Sequence, residues 1–389
     1  MFEQQKEKKV EYLELIYDLI FVYIIGRNNS LLQHIESGFV PTEIFLAYVL
    51  GTLAIIQIWN YSTFYINIYG RNGVRDHVFL CLNMFLLYFM ADSTNVHWQA
   101  SVYKYSASWG LILLNLGAQH LLELRSHKDA PAVRLQLQRK AAIILIEAAL
   151  VGVHTLIYAK TGVSAAYVPI LFGVAAMLAS GKRDTLAPVD FMHLTERAML
   201  YVVFTFGEMI IAIASYFSEE LTGNSVYFAA MAFLIVVGLF LSYGAFYNRL
   251  LDRERKTNGV WYMLLHIFLI FALNNISAAL EFMREETVAL WPKTLFLVGS
   301  FVVYYTFLFL MGRYTKQRCG FDPRFLGRLA SVAASFIALM VILRKIMYLN
   351  IAITVLYVFG IFLLLLRHGR AHEAESAAPQ DGSVKETNR

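Results

Sequence analysis

Runs of apolar residues long enough to cross a lipid bilayer recur along almost the whole chain, and they constrain its fold more than any other feature. Short loops between the runs hold most of the charged residues. Because 58% of the 389 residues are hydrophobic and only 16% are charged, the composition lies outside the range of soluble domains. Continuous runs also favour helices over the alternating strands of a membrane barrel. The sequence therefore predicts an all-α polytopic membrane protein.

The spacing of these runs predicts about twelve transmembrane helices. A short N-terminal segment, 1–10, precedes them, and a polar tail, 367–389, is predicted to be disordered because it has little apolar content. The predicted spans are 11–25, 41–69, 78–96, 107–124, 137–158, 164–179, 193–217, 225–250, 260–281, 292–313, 325–343 and 346–366.

Lysine and arginine concentrate in the loops that lie on the same side of the membrane as the N-terminus. By the positive-inside rule this pattern predicts that both termini are cytoplasmic. The net charge of +5 therefore indicates anionic membrane lipids as partners and not nucleic acid. Cys81 and Cys319 are too few for a disulfide framework and match no metal-binding motif, so no metal and no cofactor are predicted.

An internal repeat is predicted by overlaying the chain on itself so that Glu14 falls on Glu196. Further matches in this single ungapped register are Tyr61 with Tyr243, Tyr65 with Tyr247, Arg71 with Arg253 and Trp109 with Trp291. Six spans per half would make the two halves, 11–184 and 185–366, parallel and related by an axis along the membrane normal. The alternative is that membrane helices with aromatic ends resemble one another without duplication.

Several motifs together resemble the bacterial low temperature requirement protein A family. They are residues 13–22, Trp59 with 63–67, 193–197 with 206–208, and Tyr262 with His266. The resemblance implies a polytopic protein of the bacterial cytoplasmic (inner) membrane that is linked to growth in the cold and stress response, with no settled biochemical activity. The chain departs from the family pattern at Arg71, where the family usually has an acidic residue.

The first span carries Glu14 and Asp18 one helical turn apart, so both carboxylates lie on one face. For Glu14 we favour an ion-pair element at the cytoplasmic surface, with Arg197 or Arg71 as partner, because charged side chains reach water cheaply at the interface. Glu196 is assigned to the same element. Asp18 lies deeper, and we favour a role in a proton or cation pathway.

Glu208 lies deep in the seventh predicted span, with no counter-charge one turn away in that span. A charge at bilayer depth is rare unless it faces protein or water, so a pathway role is favoured over a buried structural hydrogen bond. Gly207 before it leaves room for another helix, for water or for a ligand.

A second set of polar residues lies within other spans. Glu147 and His154 are two turns apart on one helical face and form either a proton relay or packing contacts. The remaining candidates for the lining of a pathway are His266, Asn274, Tyr65 and Tyr247. No catalytic residues are assigned, because no nucleophile or phosphate-binding motif is present.

These residues support three hypotheses for function. The first is a proton- or ion-coupled secondary transporter of a small solute, with Asp18 and Glu208 coupling transport to the proton gradient. The second is a membrane-embedded enzyme that acts on a lipid or isoprenoid, with Glu208 and His266 or His154 as acid and base. The third is a structural, stress-related membrane factor without turnover. The transporter is favoured, and an enzyme is the less favoured class.

Overall fold

Twelve α-helices make up the fold, which confirms the all-α prediction for the residues that the structure covers. A computed structural model describes residues 9–94, 98–181, 189–214, 222–317 and 319–377. The helices are α1 (Tyr12–Asn29), α2 (Thr42–Tyr69), α3 (Val74–Asp92), α4 (Trp98–Glu123), α5 (Pro131–Thr161), α6 (Tyr167–Gly181), α7 (Phe191–Ala214), α8 (Gly223–Ala245), α9 (Val260–Arg284), α10 (Leu290–Leu310), α11 (Pro323–Ile342) and α12 (Met347–Ala377).

Local sequence explains where the helices begin and end. Pro131 occupies the first turn of α5, where a missing N–H costs nothing, and Gly162 ends the helix in the left-handed region with a φ of 70°. Asp322 caps α11 by accepting a hydrogen bond from the backbone N–H of Phe325 at 2.8 Å. Each predicted span overlaps one of the twelve helices, although α12 continues to Ala377, well into the predicted tail.

The molecule is a multi-pass membrane protein. Nine of the helices in the described ranges are long and apolar enough to cross a bilayer, all except α1, α4 and α6. Among these three, α6 has only 15 residues, and α1 carries Glu14, Asp18 and Arg27. Large apolar side chains such as Leu171 and Leu356 are exposed on the outside of the bundle, as expected for surfaces that face lipid.

Two helices occupy the centre of the bundle. On α2 every residue from Ala54 to Asn67 is buried, and 89% of the most apolar part of α9 is buried. The first six helices meet the second six through α1 with α7, α2 with α7, α1 and α2 with α9, and α6 with α9. The centre of the molecule is therefore where the two halves join.

In the ungapped register each helix of the first half overlaps its counterpart in the second half, although the helix ends do not coincide. In that register Trp109 falls on Trp291, yet Trp109 lies in the middle of α4 whereas Trp291 lies in the first turn of α10. Loops of different length therefore separate corresponding helices. The predicted boundary at 184 and 185, nearly all of the segment 1–10 and the end of the tail, 378–389, lie outside the described residues.

Candidate functional site

Arg197 of α7 forms a buried ion-pair cluster with two carboxylates of α1. Its Nη2 lies 2.5 Å from Oδ1 of Asp18, and its Nη1 lies 3.4 Å from Oε2 of Glu14. The indole Nε1 of Trp59 on α2 donates a second hydrogen bond to the same Asp18 oxygen at 2.8 Å. The sequence predicts that Arg197 forms an ion pair at the inner surface. In the structure Arg197 is instead 0% exposed, because the two carboxylates and the side chains of α2 surround it.

His193 extends this cluster toward the start of α7. Its Nε2 lies 3.4 Å from Oε2 of Glu14, and Asn67 of α2 donates a hydrogen bond to its Nδ1 at 3.0 Å. Since Nδ1 accepts, the proton of the neutral ring is on Nε2, facing Glu14. The cluster thus joins two carboxylates, one guanidinium and one imidazole.

Arg71 and Glu196, the other two residues predicted for this element, lie elsewhere. Arg71 pairs with Glu123 at the end of α4, at 3.2 Å, and Arg75 contacts the same carboxylate. Glu123 is fully buried, and these two ion pairs hold the turn between α2 and α3 against α4. Glu196 is half-buried and forms no ion pair within the described part of the chain.

Glu147 of α5 forms a second buried cluster, built from neutral partners. The hydroxyl of Tyr61 donates a hydrogen bond to Oε2 of Glu147 at 2.5 Å, and Nε2 of Gln57 lies 3.5 Å from the same oxygen. Gln57 also donates to the Tyr61 oxygen at 3.0 Å. All three side chains therefore meet at one point between α2, α5 and α6.

A glycine of α6 makes room for this second cluster. A Cβ atom added to Gly173 would lie 1.8 Å from Nε2 of Gln57 and 2.4 Å from Oε2 of Glu147. Both distances are far below van der Waals contact, so no other residue fits at this position without displacing the cluster. The polar groups of α2 and α5 thus pack directly against the α6 backbone.

Glu147 differs from Asp18 in having no cation beside it. It is 0% exposed and forms no ion pair with any residue in the described ranges. Its Oε1 and the Oε1 of Gln57 are buried and accept no hydrogen bond from the described protein groups. A carboxylate without a counter-charge is costly to bury in ionised form, so the group at this position is suited to hold a proton.

Two pockets lie at opposite ends of the helices that surround Glu147. We call the first, on the side that the sequence predicts to be cytoplasmic, the inner pocket: it has a volume of about 50 Å³ and is lined by Tyr61, His120, Gln136, Lys140, Met177 and Asn258, with apolar walls between them. The second, the outer pocket, has a volume of about 20 Å³ and is lined by Gly51, Tyr105, Trp109, His154, Ser164 and Ala166. Along α5 the order is Lys140, Glu147, His154, so the carboxylate lies between the two pockets.

His154 lines the outer pocket and does not contact Glu147, since two helical turns, roughly 10 Å, separate them along α5. Its Nδ1 accepts a hydrogen bond from the backbone N–H of Ala165 at 3.1 Å. The proton of the neutral ring is therefore on Nε2. A direct proton transfer between the two predicted relay residues is excluded in this conformation.

Glu208 lies against α1, apart from the Glu147 cluster. A Cβ on Gly26 would lie 2.5 Å from its Oε1, whereas Gly207 has nothing within 4 Å of such an atom. The glycine that makes room is thus Gly26 and not Gly207. Glu208 is half-buried, and no described residue donates a hydrogen bond to it. Contacts of α7 with Asp18 and Gly26 show that α1 and α7 run side by side in the same direction.

The remaining predicted pathway residues lie in separate places. His266 donates from Nδ1 to the carbonyl of Tyr262 at 2.9 Å, and its Nε2 lies 3.1 Å from the Tyr243 hydroxyl. Asn274 donates to a carbonyl of its own helix. Tyr65 packs against the His120 ring, with centroids 4.8 Å apart, and Tyr247 stacks on Tyr243. The structure does not bring Tyr65 and Tyr247 together.

Sequence reasoning missed several residues of these clusters, and three of them show why. Gln57 interrupts an apolar run of α2 and could have been found as a polar residue at bilayer depth. Gly173 gives no signal in the sequence, because it contributes only the space left by its missing side chain. Glu123 lies at a helix end, where a charged residue is expected to face solvent.

The helices and clusters define a class of protein: a polytopic helical membrane protein with ionisable groups buried between its helices. A family model described as bacterial low temperature requirement A protein (LtrA) matches residues 9–361. The chain belongs to this family, which confirms the resemblance seen in the sequence. No curated protein matches the chain.

Proposed function

We propose that the protein is a proton-coupled secondary transporter of a small solute, with Glu147 as the group that carries the proton. The observation that supports this most directly is the position of Glu147. It is a fully buried carboxylate held by neutral donors, and it lies between a pocket at each end of the same helices. Transport requires such an arrangement, because the solute and the proton must reach one site from both sides of the membrane.

The transport step is an exchange between two states. In the described state the inner pocket reaches Tyr61, while the outer pocket reaches Gly51 of the same helix. Ten residues of α2, roughly 15 Å, separate these points and form the closed part of the path. A movement of α5 and α6 against α2 that closes the inner pocket and opens the outer one would expose Glu147 to the other side.

The two-repeat arrangement belongs to the same proposal, and the packing order of the helices supports it. In the first half α1 packs on α2 and α3, α3 on α4, α4 on α5, and α6 on α5 and α2. In the second half α7 packs on α8 and α9, α9 on α10, α10 on α11, and α12 on α11 and α8. We also propose twelve spans in the bacterial inner membrane with both termini cytoplasmic.

The geometry favours transport over a membrane-embedded enzyme. That alternative needs Glu208 close to His266 or His154, so that acid and base share a substrate. Among the described residues, His266 bonds to Tyr243 and Tyr262, His154 lines the outer pocket, and Glu208 rests on Gly26. No contact joins the carboxylate to either imidazole.

Currents on a solid-supported membrane test the proposal. Proteoliposomes are pulsed with a panel of organic acids, amines, amino acids and sugars, with and without a pH gradient. We expect at least one solute to give a current that follows the pH gradient, and Glu147→Gln to abolish that dependence. Glu43→Gln, an exposed carboxylate at the start of α2, is the control and should behave as wild type.

A current in Glu147→Gln that still follows the pH gradient would show that Glu147 does not couple transport to protons.

The family description links its members to low temperature, and we propose growth in the cold as the cellular setting. The cellular form of the same test is a deletion strain grown at low temperature, which wild type should rescue and Glu147→Gln should not.

A further inference from the structure

We infer that the surface where α9 begins and α10 ends binds the phosphate group of an anionic phospholipid. The site consists of Arg255, Arg313, Tyr314 and Trp261, and it lies on the side of the membrane that we propose to be cytoplasmic. It shares no residue with the Glu147 cluster or with either pocket, so it stands independently of the transport proposed above.

Two exposed arginines contact one tyrosine ring. The guanidinium carbon of Arg255 lies 5.7 Å from the centroid of the Tyr314 ring, and the guanidinium carbon of Arg313 lies 5.7 Å from the same centroid. Nη1 of Arg255 also donates a hydrogen bond to the backbone carbonyl of Arg313 at 2.5 Å. The two cations are therefore held side by side.

No carboxylate in the described part of the chain neutralises this pair of cations. Neither Arg255 nor Arg313 forms an ion pair there, and Glu254, which precedes Arg255, is exposed and pairs with neither. An aromatic ring orients a guanidinium group without cancelling its charge. Because neighbouring like charges repel, an anion that contacts both groups is bound favourably. A phosphate group suits them best, since its oxygens match the planar fork of arginine.

Backbone hydrogen bonds fix the two segments that carry the arginines. The N–H of Asp252 donates to the carbonyl of Tyr314 at 2.9 Å, and the N–H of Lys316 donates to the carbonyl of Leu250 at 2.9 Å. These bonds join the loop after α8 to the segment after α10. A ligand that binds to groups already held in place loses less of its affinity to the ordering of the protein.

The surface beside the arginines faces lipid. Trp261, in the first turn of α9, is 42% exposed, and the guanidinium carbon of Arg313 lies 5.8 Å from the centroid of its ring. Leu310, one turn before Arg313, is 52% exposed at the end of a helix that is long and apolar enough to cross a bilayer. Tryptophan favours the level of the lipid headgroups. An anionic phospholipid thus supplies both an acyl chain for Leu310 and Trp261 and a phosphate for the arginines.

Quenching of tryptophan fluorescence by brominated lipids tests this site in the full-length protein. The protein is reconstituted in phosphatidylcholine nanodiscs that contain a rising fraction of either dibromo-phosphatidylglycerol or dibromo-phosphatidylcholine. The Trp261 signal is the part of the emission that Trp261→Phe removes. We expect the anionic lipid to quench this signal by half at a fraction at least about tenfold lower than the zwitterionic lipid, because each arginine near an anionic lipid contributes a factor of about five.

The double variant Arg255→Gln, Arg313→Gln should lose this preference, so that both lipids quench Trp261 at similar fractions. If the double variant fails to fold, Arg313→Gln alone should reduce the preference about fivefold. The control with the same change in net charge is Arg324→Gln, Arg328→Gln. It removes two exposed arginines of α11 that contact no aromatic ring in the described part of the chain, and it should keep the wild-type preference.

Three outcomes would overturn the proposed site. The first is equal quenching of the wild-type Trp261 signal by the two lipids. The second is an equal loss of preference in the site variant and in the control variant, which would show a general effect of net charge. The third is reversal of the quenching by inorganic phosphate at millimolar concentration, which would show that the arginines hold a soluble phosphate and not a lipid.

Discussion

Asp18 and Glu147 are both 0% exposed within a helical bundle, yet their surroundings are opposite. Asp18 receives a guanidinium and an indole N–H, whereas Glu147 receives a phenol hydroxyl and an amide. A buried ion pair must keep both partners, because removal of one leaves an uncompensated charge. A carboxyl group among neutral donors can gain and lose a proton without such a partner. The comparison separates a group that holds helices together from one whose surroundings let it change its charge.

The largest expected effect is the loss of Arg197, which leaves Asp18 and Glu14 buried without their cation. Arg197→Met should cost about 3–5 kcal/mol of unfolding free energy, seen as a large fall in the thermal unfolding temperature in detergent. Neutralising the carboxylates in the triple variant Arg197→Met, Asp18→Asn, Glu14→Gln should restore much of it. A single variant as stable as wild type would contradict the assignment of this cluster.

A smaller effect is expected at Gly173, where a methyl group would overlap Gln57 and Glu147. Gly173→Ala should lower the free energy of unfolding by about 1–3 kcal/mol, the usual range for overpacking. It should also slow the transport proposed above, because the cluster is displaced. Gly152→Ala is the matched control on α5, since nothing lies within 4 Å of its added Cβ. Equal unfolding temperatures for the two variants would show that the close packing at α6 is unimportant.

The smallest expected effect on stability is that of Glu147→Gln. The amide keeps an acceptor for the Tyr61 hydroxyl and adds no charge, so the change should stay within about 1 kcal/mol. Asp18→Asn, by contrast, removes the negative charge that pairs with Arg197, so it should lower the free energy of unfolding by more than Glu147→Gln does. Thermal unfolding of the two variants side by side tests this difference. Equal falls in their unfolding temperatures would contradict it.

The sequence could predict the helical class, because hydropathy and helical periodicity are local properties. Glu14 and Arg197 could be paired in advance, since both carry charges near the start of their helices. The partners of Glu147 could not, because Tyr61 and Gly173 are brought to it by the packing of three helices. The room beside Glu208 likewise comes from Gly26, a residue distant in the chain.

Trp59 and Tyr61 stand two residues apart on α2 and therefore point to nearly opposite sides of the helix, about 200° apart. Trp59 donates to Asp18 at the α1–α7 seam, and Tyr61 donates to Glu147 between α5 and α6. The helix thus has a fixed rotational setting that satisfies both acceptors at once. A twist of α2 that releases one hydrogen bond strains the other, so we expect a change at Glu147 to alter the contact between α1 and α7.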